Sequence, residues 1–163
     1  MSSSSATDSV ETTPESTADD LTLERTVERY DELGVGDVVR FAKPITDADV
    51  SSFADASDDR NPLHLEEEHA DDTMFDGRIA HGGLVAGTIS VALARFPGVV
   101  IYLSQDLDFC EPVEFGRTVT ATCEIVEALG ESRYRLETTA VDEAENTVIA
   151  GEAVVVINPP PAD

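Results

Sequence analysis

The stretch that most constrains this chain is Ala80–Phe96, AHGGLVAGTISVALARF, which opens on His81-Gly82-Gly83 and then carries no charge until Arg95. Leu84, Val85, Ile89, Ala92, Leu93 and Phe96 recur at helical spacing, and small residues fill the gaps at Ala86, Gly87, Ser90 and Ala94. A helix that is apolar on nearly every side belongs inside a protein rather than on its surface. Its 17 residues would span about 25 Å at 1.5 Å per residue, the width of a small domain. It is short and glycine-rich for a bilayer span. The expectation is a central core helix whose Gly82-Gly83 start leaves backbone N–H groups facing its surroundings.

The rest of the chain reads as material to cover that helix. At 163 residues it makes one domain with a sizeable core. Pro97-Gly98 stops the helix, and strands follow. The first is VVIYLSQDLDF, Val99–Phe109, followed by a turn over Glu111–Gly116. TVTATCEIVEA puts Val119, Ala121, Cys123 and Ile125 on one face, and RYRLETTAVD puts Tyr134, Leu136, Thr138 and Ala140 on one face. TVIAGEAVVVI ends in a β-branched run, and the separators Ala128–Glu131 and Glu143–Asn146 are short enough for hairpins. Upstream, Val35–Ala42 alternates like a first strand, and Thr46 N-caps DADVSSFADAS, a helix ending near Ser57. Residues 58–64 lack periodicity, and Pro62 holds Asn61 out of helical geometry. Glu66–Asp71 reads as a short exposed helix and Asp72–Ile79 as a loop.

One antiparallel sheet curved round one long helix is the economical α+β solution, a hot-dog fold. The domain is expected over 34–158, with a disordered acidic tail at 1–20, a leader of moderate helical potential at 21–33 and a Pro-rich end at 159–163. Such a sheet leaves an exposed edge strand, so a homodimer is expected.

Charge narrows the partners. Ten Lys+Arg against 34 Asp+Glu leave a net charge of −24, with Lys43 the single lysine. Such a surface disfavours nucleic acid and anionic membranes, and fits a cytoplasm of high salt that screens self-repulsion. The first twenty residues have neither a basic segment nor an apolar one, so no secretory signal is read there and a cytoplasmic location is expected. Cys110 and Cys123 are too few for a disulfide framework. His64 and His69 stand five residues apart, about 500° of helix rotation, and so share no face; no metal site is expected.

Asp59 and His64 flank the Asn61-Pro62 turn, so a carboxylate and an imidazole can converge on one water as a general acid/base pair. The same residues could equally cap a turn and a helix, and their chemistry alone leaves both uses open. Here a resemblance enters. Asp59-Arg60-Asn61-Pro62-Leu63-His64, with Phe53-Ala54 before it and Ala70 after it, resembles the hydratase motif of the MaoC-like (R)-specific enoyl-CoA hydratases and dehydratases. The likeness continues through His81-Gly82, Ser90, Ile101–Gln105 and Gly151–Val155, covering roughly residues 34–157.

The resemblance implies reversible syn hydration of a trans-2-enoyl-CoA to an (R)-3-hydroxyacyl-CoA. Asp59 and His64 would activate the water, with their division into acid and base left open. Gly82 would offer its N–H to the thioester carbonyl, Ser90 would steady Asp59, and Asn61 would hold the turn. Leu93, one helical turn beyond Ser90 on the same side, could close the end of the acyl pocket opposite Val155, which the resemblance places there; packing the core is the other use open to Leu93. No cofactor is implied, since coenzyme A is part of the substrate. Two alternatives stay open: a dehydratase working on another acyl carrier, and a non-catalytic acyl-thioester-binding subunit. Acyl-chain length and pathway (polyester precursor supply, fatty acid breakdown or synthesis) are not readable. Gly83 stands where family members often have a larger apolar residue, which suggests a more flexible helix start. The cations for the coenzyme A phosphates are few: Arg60, Arg78, Arg95 and Arg117.

Overall fold

The computed structural model describes residues 21–58 and 80–162, together with the backbone of Val10–Glu11. In chain order the elements are β1 (Val10–Glu11), β2 (Thr22–Arg25), β3 (Val38–Pro44), α1 (Asp47–Ser57), α2 (Gly82–Ala94), β4 (Val99–Phe109), β5 (Thr118–Gly130), β6 (Arg133–Val141) and β7 (Thr147–Asn158). All seven strands form one sheet in the order β1-β2-β3-β5-β6-β7-β4, with every pairing antiparallel. The sheet curves round α2, which packs against β3, β4, β5 and β6. This is the expected α+β hot-dog arrangement.

The core follows from the two periodicities. Every second residue of β5 points inward, so Val119, Ala121, Cys123 and Ile125 are all buried, and Leu136 and Ala140 on β6 meet them across the ladder. Val85, Ile89, Ala92 and Leu93 of α2 fill the concavity from the other side. The helix is less enclosed than its composition suggests. Leu84, Ala86, Gly87, Ser90 and Val91 are half-buried, and Gly82, Gly83 and Ala94 are exposed. The sheet covers one face of α2, and the residues turned away from it are mostly the small ones.

Local signals explain α1. The Thr46 hydroxyl accepts from Asp49 N–H at 3.1 Å, and the Asp49 carboxylate accepts from Thr46 N–H at 3.0 Å, a complete capping box. Lys43 Nζ donates to the same carboxylate at 2.6 Å, tying the helix start to β3. At the other end Asp58 adopts a left-handed conformation, φ 66°, and its N–H bonds the Ala54 carbonyl at 2.8 Å. The chain is therefore turned sharply at the residue before Asp59.

The sequence leaves the structure of the leader over 21–33 unsettled, and the fold decides it. Its moderate helical potential gives way to β2 over Thr22–Arg25 and a short 3₁₀ turn over Tyr30–Glu32. Leu23 and Val27 are buried, and β2 pairs with β3 in the register Leu23↔Phe41. Pairing with a strand elsewhere in the chain overrides a weak helical preference. Within the stretch expected to be unstructured, Val10–Glu11 extends the sheet through Val10↔Glu24. The first long strand begins at Val38 rather than Val35, because Gly34–Asp37 is a turn in which the Asp37 carboxylate accepts from Gly34 N–H at 2.8 Å.

β4 lies at the edge of the sheet beside β7. Val99, Ile101, Tyr102, Leu103 and Phe109 along it are exposed. Its register slips between Tyr102↔Val155 and Ser104↔Val154, leaving Leu103 as the extra residue of a bulge. Among the described residues no helix is long and apolar enough to cross a membrane.

Candidate active site

The start of α2 is held in place from below and from both sides. Ala80 N–H donates to the Val113 carbonyl at 2.8 Å, which ties the residue before His81 to the turn following β4. His81 is 1% exposed, and its carbonyl accepts from Val85 N–H at 3.1 Å to open the helix. The Phe53 ring of α1 lies against the imidazole, with centroids 4.8 Å apart and the planes tilted by 51°.

Two aromatic rings explain the glycine pair. A Cβ on Gly83 would come within 2.9 Å of the Phe53 ring, and one on Gly82 within 3.1 Å of the Phe109 ring. Phe53 comes from α1 and Phe109 from the end of β4, so the first turn of the helix sits between them. At Gly83, where a larger apolar residue is often expected, the ring of Phe53 takes the room a side chain would use.

Two helical turns beyond Gly82, Ser90 is half-buried. Tyr102 of β4 stands near Ser90. Burial raises the Tyr102 phenol above its ordinary value, and the interaction with Ser90 offsets part of that rise. Cys123 lies behind them, fully buried, with its thiol pushed up to about 12 by burial and directed at the Ile89 carbonyl, 3.8 Å away. Leu93 and Val155 are both buried in the core, and Val155 is the register partner of Tyr102.

Asp59, Asn61 and His64, with Arg60 and Arg78, lie outside the described residues. Of the remaining candidate cations, Arg95 follows the last turn of α2, about 20 Å along the helix from Gly82 at 1.5 Å per residue. Arg117 pairs with Glu114 at 3.4 Å on the turn that anchors Ala80, so it lies at the Gly82 end. Nothing in the sequence singles out Phe109 beside Gly82 or Tyr102 near Ser90. Both depend on the placement of β4 against α2, and the only local trace is the break in alternation at Leu103.

The clasp at the helix start is testable. Gly83→Ala should force the Phe53 ring off its seat and cost ~1–3 kcal/mol of stability by overpacking. Combining it with Phe53→Leu should cost less than the two single changes added together. Thermal unfolding of the three variants measures both, and a Gly83→Ala chain melting with the wild type would refute the contact.

Comparison with known proteins now adds to this geometry. Residues 32–148 match the MaoC like domain. The chain is 40% identical over 142 residues to a Rhodospirillum rubrum protein named (R)-specific enoyl-CoA hydratase, covering 86% of this chain and 96% of that protein. It is 39% identical over 128 residues to a 3-hydroxybutyryl-CoA dehydratase from Methylorubrum extorquens, covering 77% of this chain and 82% of the relative. Among solved structures, an R-hydratase from Pseudomonas aeruginosa in its unliganded form superimposes with a TM-score of 0.75 at 34% identity, covering 86% of this chain and 98% of that one. With a helix held at His81-Gly82, a serine two turns on and a sheet wrapped round both, this chain belongs to the MaoC-like family.

Proposed function

We propose that this chain is an (R)-specific enoyl-CoA hydratase, a hydro-lyase that adds water reversibly across the C2–C3 double bond of a trans-2-enoyl-CoA. The observation that carries the reading is the 40% identity, spread over 96% of a relative named for that activity. Run backwards, the same equilibrium is the dehydration for which the Methylorubrum relative is named.

The chemistry assigns each residue a task. Asp59 and His64 hold one water between them; one takes a proton from it as oxygen bonds to C3, and the other delivers a proton to C2 on the same face. Electrons pushed from the double bond collect on the thioester oxygen, where the Gly82 N–H at the start of α2 stabilises them. That N–H has no partner within the helix, because the first turn never supplies one. Ser90 steadies Asp59, and Asn61 holds the turn that carries the pair. The acyl chain runs past Ser90 toward Leu93 and Val155, which close its far end. Coenzyme A enters and leaves as part of substrate and product.

We assign the working unit as a homodimer joined through β4. Its exposed apolar row at Val99, Ile101, Leu103 and Phe109 and its position at the sheet edge support that assignment. The −24 charge supports a requirement for high salt, because self-repulsion between two such chains needs screening.

Purified protein in molar KCl should consume the conjugated absorbance of crotonyl-CoA and yield the (R)-3-hydroxy product. Asp59→Asn and His64→Gln should each abolish nearly all of this while leaving the fold intact, and the double change should add little. Retention of more than about a tenth of kcat/KM, a loss below ~1.4 kcal/mol, would remove either residue from the pair. Leu93→Ala should raise kcat/KM for six- and eight-carbon substrates relative to the four-carbon one, since each added methylene gains up to ~0.8 kcal/mol of burial. An equal loss on all three lengths would make Leu93 a packing residue only. Light scattering across a KCl series should give a dimer in molar salt that dissociates or unfolds on dilution; a monomer in molar salt would refute the assembly.

A further inference from the structure

We propose that Phe109 is the wall of the thioester subsite: its ring covers the head of α2 beside the Gly82 N–H and packs against the acyl thioester of the substrate. The task given to Gly82 rests on the hydratase reading, and the placement of the ring rests on the structure.

A bulge aims the ring. Val100 and Tyr102 of β4 stand opposite the buried Ile157 and Val155, so even-numbered residues face inward along that part of the strand. The slip between Tyr102 and Ser104 inserts Leu103 and reverses the phase. Beyond it Gln105, Leu107 and Phe109 stand opposite Ala153, Gly151 and Ile149, and the inward set is odd-numbered. An uninterrupted ladder would have turned Phe109 to the outer face. The backbone under the ring is fastened as well, because Cys110 N–H donates to the Val148 carbonyl at 2.8 Å.

The ring so aimed reaches the mouth of the helix. A Cβ on Gly82 would lie 3.1 Å from Cε1, 3.4 Å from Cδ1 and 3.5 Å from Cζ of Phe109. Cα–Cβ bonds in a helix tilt toward its N-terminus. A group filling that direction at Gly82 therefore lies over the opening turn, where the first N–H groups emerge without helical partners. Phe53 fills the same direction at Gly83, about 100° further round the helix axis.

The two rings differ in what else they touch. Phe53 is half-buried and lies on the His81 imidazole, so it belongs to the scaffold. Phe109 is 60% exposed, so most of its surface is open to a ligand. Single exposed apolar side chains are ordinary. Phe109 is set apart by its seat on the residue whose N–H meets the oxyanion. An aromatic wall beside a few placed donors is the usual lining of a small-molecule pocket. Such a wall keeps water from the thioester oxygen, which strengthens the N–H bond to the charge that develops there.

Phe109→Ala should lower kcat/KM on crotonyl-CoA about tenfold, and Phe109→Leu, which keeps part of the apolar wall, by less. Calorimetric titration gives a readout without turnover. Butyryl-CoA, which has no double bond to hydrate, should bind Phe109→Ala about tenfold more weakly than the wild type, while free coenzyme A, with no acyl thioester, binds both alike. Wild-type kcat/KM and butyryl-CoA affinity in Phe109→Ala would overturn the proposal. Equal losses for butyryl-CoA and coenzyme A would overturn it too, as would a loss that light scattering traces to a dissociated assembly. The contact itself is read from a double variant: Gly82→Ala should reduce activity in the wild-type background and cost less in Phe109→Ala, whereas losses that multiply would overturn the seat on Gly82. A chain that binds butyryl-CoA through Phe109 but leaves crotonyl-CoA unhydrated would overturn the hydratase reading alone. A chain that hydrates crotonyl-CoA with Phe109→Ala silent in both assays would overturn the subsite alone.

Discussion

The structure depends on burying one face of α2 in the concavity of the sheet. A 13-residue segment with three glycines, GGLVAGTISVALA, would not hold helical shape in water, since nucleation is costly and each glycine weakens the helix further. It is helical because Val85, Ile89, Ala92 and Leu93 find β3, β5 and β6. Burying four such side chains supplies several kcal/mol at about 25 cal/mol per Å² of apolar surface. Gly82 and Ser90 inherit their positions from that packing. A change in the core beneath α2 is therefore felt at Gly82 and at Ser90.

The same packing explains why the helix opens on two glycines. α1 and the end of β4 each bring a phenylalanine to the first turn, and the rings occupy the space above Gly83 and Gly82. Without Cβ atoms the first turn can sit between them, and its unpaired N–H groups stay at the surface of the wedge. Phe53 also lies on the buried His81 ring, so the capping residue of α2, α1 and the turn leading into Asp59 form one connected unit. A rearrangement at the helix start would have to move α1, whose own N-terminus is fastened by Thr46, Asp49 and Lys43.

Where the sequence could be read, the signal was local. Thr46 and Asp49 announce the start of α1 at the residue where it occurs, and Pro97-Gly98 sets the end of α2 and the beginning of β4 at Val99. The alternation of β5 and β6 gave the buried faces directly. Features that depend on distant partners were less accessible. LTLERTV has both a helical and a period-2 reading, and only its pairing with β3 decides between them. The position of β4 beside β7, rather than beside its neighbour in sequence β5, follows from no hairpin signal. Within the site, Gly82 and Ser90 were found through a resemblance carried by motifs close together in the chain. Phe109 and Tyr102 read in the sequence only as strand residues, because their place against α2 is set by the fold.

Charge and ligand pose the remaining physical problem, and the fold offers part of its solution. A chain of net charge −24 must receive a polyanionic thioester, and most of its described arginines are already engaged by carboxylates: Arg25 with Glu28, Arg29 with Asp31, Arg40 with Glu24, Arg117 with Glu114, and Arg135 with Glu127 and Glu152. Exposed pairs of this kind hold each other weakly, on the order of 0–1 kcal/mol. An arginine so paired can exchange its carboxylate for a phosphate at little loss. Arg117, paired with Glu114 on the turn that anchors the head of α2, lies at the Gly82 end of the helix, and Arg95 lies at its far end. High salt would act twice here, screening the ligand from the acidic surface and loosening the pairs that hold the arginines. An acidic enzyme for an anionic substrate is thus physically consistent, provided that its few cations are held lightly and its oxyanion is met by backbone N–H, which carries no charge that salt could screen.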